Sequence, residues 1–273
     1  MKTHQDFLKI ACDATQIGAT MLGTSNPAAV HHKGDRDLVT DIDLAIQREI
    51  DDHLRTATPD IPLLAEESVE QPDIDSAEWL WVLDPIDGTS NFVHGLPLCS
   101  VSLALLHRGT TVVAVTHAPL LGRTYHAVEG KGAFLNGEPI NVSRATSLAE
   151  AIVSLGDYAV GRDAAALNES RLALTAELVP RVERIRMIGS ATLDLAFVAE
   201  GALDACVMMS NKPWDTAAGT LIAREAGARL VDAQGDPHTH RSASTIATAP
   251  GIARELATVI ETACAPVVLQ AAT

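Results

Sequence analysis

WLWVLDPIDGTSNF, Trp79 to Phe92, is the stretch on which the reading of this chain turns. Trp81, Val82 and Leu83 are apolar and read as the end of a buried strand. Asp84 is expected to end that strand, and the Pro-x-Asp-Gly turn to carry the chain into a helix near Thr89. Asp84 and Asp87 stand three residues apart at the strand end, a suitable site for a hard cation such as Mg²⁺. The backbone N–H groups of Gly88, Thr89 and Ser90 would open a helix N-terminus, which attracts phosphate. Metal and phosphate sites side by side are what metal-assisted phosphate ester hydrolysis requires. The same residues read equally well as a surface turn closed by Asx capping. Further acidic positions along the chain decide between the two.

Composition narrows the possibilities. A chain of 273 residues with 47% hydrophobic content can bury a large core, as one big domain or two intimate ones. A formal charge of -15 argues against nucleic acid or an anionic membrane as partner. Most of that charge reads as solubility. The four cysteines have no metal-type spacing, and Cys99 and Cys206 lie in apolar runs as small core residues. No signal-peptide pattern or membrane-length apolar run is present, so the expected location is cytoplasmic. The paired histidines, His31-His32 and His238-x-His240, sit in polar stretches and read as surface residues rather than zinc ligands.

Periodicity supplies the remaining elements. A helix is expected from Gln5 to Gly23, stopped by Asn26-Pro27. The segment from Lys33 begins as a polar loop and becomes a helix, with Thr40 as N-cap and Asp43 three residues on. Ile46, Ile50 and Leu54 line its buried face. Strands are expected at 61–65, 99–106, 111–116 and 123–128, with a hairpin turn at His107-Arg108-Gly109-Thr110. Beyond residue 147 strands and helices alternate: strand 152–155, helix 164–178, strand 184–188, helix 191–199, strand 203–209, helix 216–226 and strand 228–232. The stretch from Asn141 to Glu150 is the expected junction, giving an N-terminal α+β half (1–145) and a C-terminal α/β half (146–273). The Ala-rich tail after Cys264 is expected to fray.

Four acidic positions then stand out: Asp43 on the second helix, Glu66-Glu67 after a strand, Asp84 with Asp87, and Asp215 at a helix start. Each alone has a structural explanation, as a helix-terminus charge, a solvated strand end or a cap. Together they resemble the inositol monophosphatase family, within the lithium-sensitive, Mg²⁺-dependent phosphatase superfamily that includes fructose-1,6-bisphosphatase. WVLDPIDGTSNF resembles the family's first signature and WDTAAGTLIAREAGA, Trp214 to Ala228, its second. DLVTDID (Asp37 to Asp43), AEES (Ala65 to Ser68) and RMIGSATLDLAFVAEGALDA (Arg186 to Ala205) match the intervening motifs in order.

The resemblance implies an α+β fold of stacked αβαβα layers with the site between the two halves. It implies two or three Mg²⁺ ions. One would be held by Glu66, Asp84 and the Ile86 carbonyl, another by Asp84, Asp87 and Asp215, and a weaker third would sit near Glu66. Thr89 and Asp43 would orient and deprotonate the attacking water, with Glu66 sharing in catalysis. Asp87 and the N–H groups of Gly88 and Thr89 would bind substrate, and Gly189, Ser190 and Ala191 would line the alcohol side. It further implies lithium inhibition, a homodimer and a small phosphorylated polyol or sugar as substrate. Inositol 1-phosphate is the first expectation, with histidinol phosphate, fructose 1,6-bisphosphate or 3′-phosphoadenosine compounds as enzymatic alternatives. A non-catalytic interaction protein on the same fold is the alternative of another class. Arg186 and Lys212 are candidate contacts for a second anionic group. Met208 falls where inositol-preferring members carry a Glu, so either substrate discrimination is relaxed, or Met208 is core and Asn211 contacts substrate. Neutralising Asp87 is expected to relieve repulsion among crowded carboxylates and leave the fold at least as stable.

Overall fold

The computed structural model describes residues 2–25, 29–34, 37–69 and 71–264, the side chains of His32 and Asp37 excepted. The Asn26-Pro27 stop and the tail after Cys264 lie outside the described residues. Helix α1 (His4–Thr24) opens on a capping box in which Thr3 and Asp6 satisfy each other's backbone N–H. Strands β1 (Val30–Gly34) and β2 (Asp37–Thr40) pair antiparallel where a polar loop was expected. Thr40 and Asp43 form the expected second capping box, opening α2 (Asp41–Ala57).

Seven strands then build one sheet. β3 (Leu63–Ala65) runs parallel to β4 (Trp79–Asp87). After the short helix α3 (Thr89–Val93), β5 (Ser100–His107), β6 (Thr110–Ala118), β7 (Arg123–Val128), β8 (Ala133–Leu135) and β9 (Glu138–Ile140) follow antiparallel, each beside the last. The β5–β6 turn is the expected hairpin: Arg108 and Gly109 both take positive φ, 50° and 75°, which matches the twist of the flanking strands.

The chain crosses to a second sheet through β10 (Ile152–Leu155). It continues through α4 (Ala164–Leu178), β11 (Arg184–Arg186), α5 (Ala191–Ala199), β12 (Ala205–Met208), α6 (Pro213–Glu225), β13 (Arg229–Val231), β14 (Thr245–Thr248) and α7 (Ala253–Cys264). The sheet order is β11-β10-β12-β14-β13, parallel through the first three and antiparallel beyond.

These elements stack as αβαβα. Trp81 and Leu83 of β4 point to one face and pack with Phe7 and Leu22 of α1 and Ile46 and Ile50 of α2. Leu80 and Val82 point to the other face, against Leu195 and Val198 of α5 and Leu221 and Ile222 of α6. Both faces are covered, which is why β4 reads as a continuous apolar run rather than an alternating one. The Trp81 indole N–H is satisfied by Thr58 Oγ1 at 3.0 Å. Helix α5 is apolar almost all round because it is sandwiched between the two sheets. Gly219 permits α6 to approach it, since a Cβ there would stand 2.7 Å from Leu195 Cβ. The outer layer, α4 and α7, covers the second sheet through Leu174, Leu178, Leu256 and Ile260. No helix among the described residues is long and apolar enough to cross a membrane.

Candidate active site

The decisive local feature is a β-bulge in β4. Asp84 pairs with Ser102 and Asp87 with Ser100, so three steps on β4 oppose two on β5. Strand alternation alone would send Asp84 and Asp87 to opposite faces of the sheet. The extra residue changes the phase: Ile86 turns into the α1/α2 core and Asp87 joins Asp84 in the cleft. The strand therefore runs to Asp87 instead of ending at Asp84. Pro85 is tolerated at this irregularity, where a regular ladder bond is not required. Gly88, at φ 87°, then makes the turn, and a Cβ there would lie 2.7 Å from the Leu98 carbonyl.

A cleft of about 490 Å³ opens between the sheets. Glu66, Asp84, Ile86, Asp87, Gly88, Thr89, Gly189, Ser190, Ala191 and Asp215 all line it. Asp43 sits behind Thr89 and is fully buried. Glu66 is positioned by its backbone N–H, which bonds to Leu83 O at 3.2 Å. Asp215 occupies the first turn of α6, which starts at Pro213, earlier than expected; its Oδ2 accepts from the Lys212 N–H at 3.1 Å. Asn91 ties the two sides together by donating to Leu98 O at 2.8 Å and Ile188 O at 2.9 Å.

Asp43 serves two partners. Its Oδ2 accepts the Thr40 N–H at 2.8 Å, the structural role, and its Oδ1 accepts the Thr89 hydroxyl at 3.2 Å. The Ile86 carbonyl is the second acceptor within reach of that hydroxyl, at 2.9 Å. Burial raises the Asp43 carboxyl above the usual range, while bonds from Thr40 and Thr89 oppose this.

Asp87 is held firmly. The Ser190 and Thr192 hydroxyls and the Thr192 N–H (2.9 Å) all donate to its Oδ2, and the Ala191 N–H donates to Oδ1 at 3.1 Å. It thus caps the N-terminus of α5, a role the sequence did not suggest. Asp84 is different. It accepts one bond, from the Ile86 N–H at 3.1 Å. Burial, followed by the charges of Glu66, Asp87, Asp215 and Asp43, pushes its carboxyl well above the ordinary value. Burial and the charges of Asp87 and Glu66 likewise push Asp215 up to about 7. Glu66 is raised by burial against the pull of Lys33, whose ammonium reaches Glu66 at 2.8 Å and Glu67 at 2.7 Å.

Among the described residues no three acidic, histidine or cysteine side chains converge closely enough to hold an ion. Asp87 turns to α5, Asp215 to Lys212 and Glu66 to Lys33. The donor set nevertheless fits a hard divalent cation: it consists of oxygen atoms, and the charges of Glu66, Asp87, Asp215 and Asp43 all press on Asp84.

Other expected contacts fall elsewhere. Arg186 is exposed and bonds the Ile185 carbonyl, Lys212 caps α6, and neither lines the cleft. Asn211 donates to Ser242 O and also lies outside the lining. Met208 is both core and cleft wall, with 4% of its surface exposed. His31 is exposed, and the His32 side chain is outside the described residues. His238 and His240 are half-buried rather than free surface groups: His238 meets Thr245 Oγ1 at 2.8 Å and His240 meets Asp75 at 2.8 Å. All four cysteines are free, with Cys99 and Cys206 buried as expected. Sequence reasoning missed Asn91, Arg171 and Asp194. Arg171 and Asp194 line the cleft and are 8% and 2% exposed. A charged residue on an otherwise apolar helix face is the one sequence signal that marks the latter two.

The sequence pattern described as the Inositol monophosphatase family matches residues 4–265. A Thermotoga maritima protein named fructose-1,6-bisphosphatase/inositol-1-monophosphatase is 42% identical over 206 residues, covering 74% of each chain. Inositol monophosphatase 1 of Solanum lycopersicum is 35% identical over 251 residues, covering 90% of this chain and 91% of its own. The solved structure of a Thermotoga maritima IMPase superposes with a TM-score of 0.86 at 36% identity, over 94% of this chain and 98% of that one. The layered fold, the acidic cleft and the ordered motifs agree with these matches: the chain belongs to the inositol monophosphatase family of divalent-metal-dependent phosphomonoesterases.

Proposed function

We propose that this protein hydrolyses small phosphorylated polyols, inositol 1-phosphate first among them, by direct attack of water on phosphorus. The observation that carries this reading is the Thr89–Asp43 hydrogen bond set beside four mutually repelling carboxylates in one cleft. Glu66, Asp84, the Ile86 carbonyl, Asp87 and Asp215 would hold two or three Mg²⁺ ions. Bound cations supply Lewis-acid charge to the phosphoryl and leaving oxygens.

The chain's own groups do the rest. The Thr89 hydroxyl has one proton and two acceptors, Asp43 Oδ1 and Ile86 O. When it donates to Asp43, its lone pairs face the cleft; as Thr89 Oγ1 takes a proton from the attacking water it passes its own to the Asp43 carboxylate, which ends holding the proton. Asp43 is anchored by the α2 capping box, so this geometry is set by folding and is not assembled on binding. The N–H groups of Gly88 and Thr89 hold the phosphate, and Gly189, Ser190 and Ala191 face the alcohol. No Ser or Cys nucleophile with a His base lines the cleft among the described residues, in keeping with single-step attack. Residues 1–145 contribute Asp43, Glu66, Asp84, Asp87 and Thr89, and residues 146–273 contribute Asp215 and the alcohol side. The reading includes a homodimer, which light scattering would test.

The test is a phosphate-release screen over phosphomonoesters at fixed Mg²⁺, with and without chelator. Turnover should vanish in EDTA and return with Mg²⁺. Full turnover in EDTA would refute the metal assignment, and no turnover on any ester would favour a non-catalytic protein.

A further inference from the structure

The cleft contains a buried cation that the proposed hydrolysis does not use. Arg171 projects from the middle of α4 and is 8% exposed. Its guanidinium donates to the Asp157 carbonyl at 3.2 Å and to Ser210 Oγ at 3.1 Å. Both acceptors are neutral. Arginine carries five N–H donors, so three make no bond among the described residues. The two carboxylates that share this wall, Asp157 and Asp194, form no ion pair with it among the described residues. A buried charge without an opposite charge is costly, and chains retain one mainly where something else completes it.

The neighbours of Arg171 indicate what completes it. It lines the same cleft as Thr89 and Asp84, on the wall built by the second sheet. Met208 and Tyr158 line the same cleft and present largely apolar surface. A planar fork of unspent donors beside apolar surface suits an anionic oxygen group, which guanidinium binds in bidentate fashion.

We propose that Arg171 is a specificity residue that receives a second anionic group, a phosphate or a carboxylate, carried on the alcohol portion of the substrate. This rests on the phosphomonoesterase reading above but replaces its first-named substrate, inositol 1-phosphate, whose alcohol portion is neutral, with esters that have two anionic ends. The competing account is a purely structural staple, in which Arg171 only joins the loops at Asp157 and Ser210.

The experiment compares the Mg²⁺-loaded wild type with Arg171→Met and Arg171→Lys on three substrates. Glycerol 2-phosphate has a neutral alcohol, fructose 1,6-bisphosphate adds a phosphate, and 3-phosphoglycerate adds a carboxylate. Wild-type kcat/KM should favour one doubly anionic ester, and which one it favours identifies the group. In Arg171→Met, kcat/KM for that ester should fall about tenfold or more relative to glycerol 2-phosphate, mainly through KM. Arg171→Lys should recover part of the loss. A loss equal on all three substrates, or no wild-type preference for a second anion, overturns the proposal. Should Arg171→Met fail to fold in a thermal melt, the same ratios in Arg171→Lys decide. If no ester is hydrolysed, the phosphatase reading fails. Calorimetric binding of fructose 1,6-bisphosphate then still separates the two accounts: weakening of about tenfold in Arg171→Met supports the subsite, and unchanged affinity refutes it.

Discussion

Asp84 and Asp87 are three residues apart in one motif, yet the structure predicts opposite effects on stability when each is replaced by Asn. Asp87 accepts four hydrogen bonds at the entrance to α5. An Asn side chain offers one oxygen and one NH₂. Whichever way the amide turns, either the Ala191 or the Thr192 backbone N–H meets an NH₂ group. The Ser190 and Thr192 hydroxyls can rotate to accept, but a backbone N–H cannot. One unsatisfied buried donor costs about 1–3 kcal/mol. Loss of the anion at the helix N-terminus adds about 0.3–1 kcal/mol. Part of this is offset, because burial already raises the Asp87 carboxyl and penalises its charge. The net is about 2 kcal/mol, or about 4–8 °C in Tm for a chain of this size. Asp84 accepts only the Ile86 N–H, a bond an Asn oxygen retains, and the change removes a charge that four other carboxylates repel. Asp84→Asn should melt at or above the wild type. Both variants should lose about 10²-fold or more in kcat. The assay is a thermal melt of the metal-free proteins at pH 8, beside turnover with Mg²⁺. An Asp87→Asn variant as stable as wild type, or an Asp84→Asn variant equally damaged, would refute the argument.

The sequence reading expected Asp87→Asn to leave the fold at least as stable; the bonds from α5 reverse that expectation, and the reason they were not foreseen is physical. Several elements were legible to the residue: β7, β10, α4 and α5 have the expected bounds. Their composition and the residues that end them are local information. The bulge in β4 is not, because it appears only as a register difference against β5. A two-residue alternation read through DPID places Asp87 on the wrong face; the sequence brought it to the site by ending the strand at Asp84 and reading the rest as a turn, and the signature resemblance agreed. The short strands β1, β2, β8 and β9 went unread for a similar reason, since each is too brief to carry a period and is defined by its partner. Among the site residues, Asp43, Glu66, Asp84, Asp87 and Asp215 sit at or near element ends and were found, whereas Asp194, within α5, was not. Arg171 was not, because its meaning depends on Ser210, 39 residues away, and on Asp157 in a loop. Asn91 likewise acts across 97 residues, on the Ile188 carbonyl.

Two further outcomes are expected. Thr89→Ala should reduce kcat at least about 10²-fold while leaving Mg²⁺ and phosphate binding by titration calorimetry largely intact, since the hydroxyl serves the water and backbone N–H groups serve phosphate; near-wild-type kcat would remove Thr89 from the mechanism. Asp194→Asn tests a second buried carboxylate through pH. Burial, opposed by the Ser154 hydroxyl and aided by the charges of Asp87 and Asp157, pushes Asp194 from the ordinary 3.8 up to about 8. An acid whose pKa rises on folding holds its proton more tightly in the native state. The native state is therefore favoured most at low pH, and its advantage declines as pH climbs from 3.8 towards 8, levelling off above that. The slope within this window approaches about 1.4 kcal/mol per pH unit. Asn cannot ionise, so the variant escapes the decline. In metal-free protein the Tm of Asp194→Asn minus that of wild type should grow between pH 5 and about pH 8, then flatten. A difference that stays constant or shrinks across that window would show that Asp194 ionises in the folded protein as readily as in the unfolded chain.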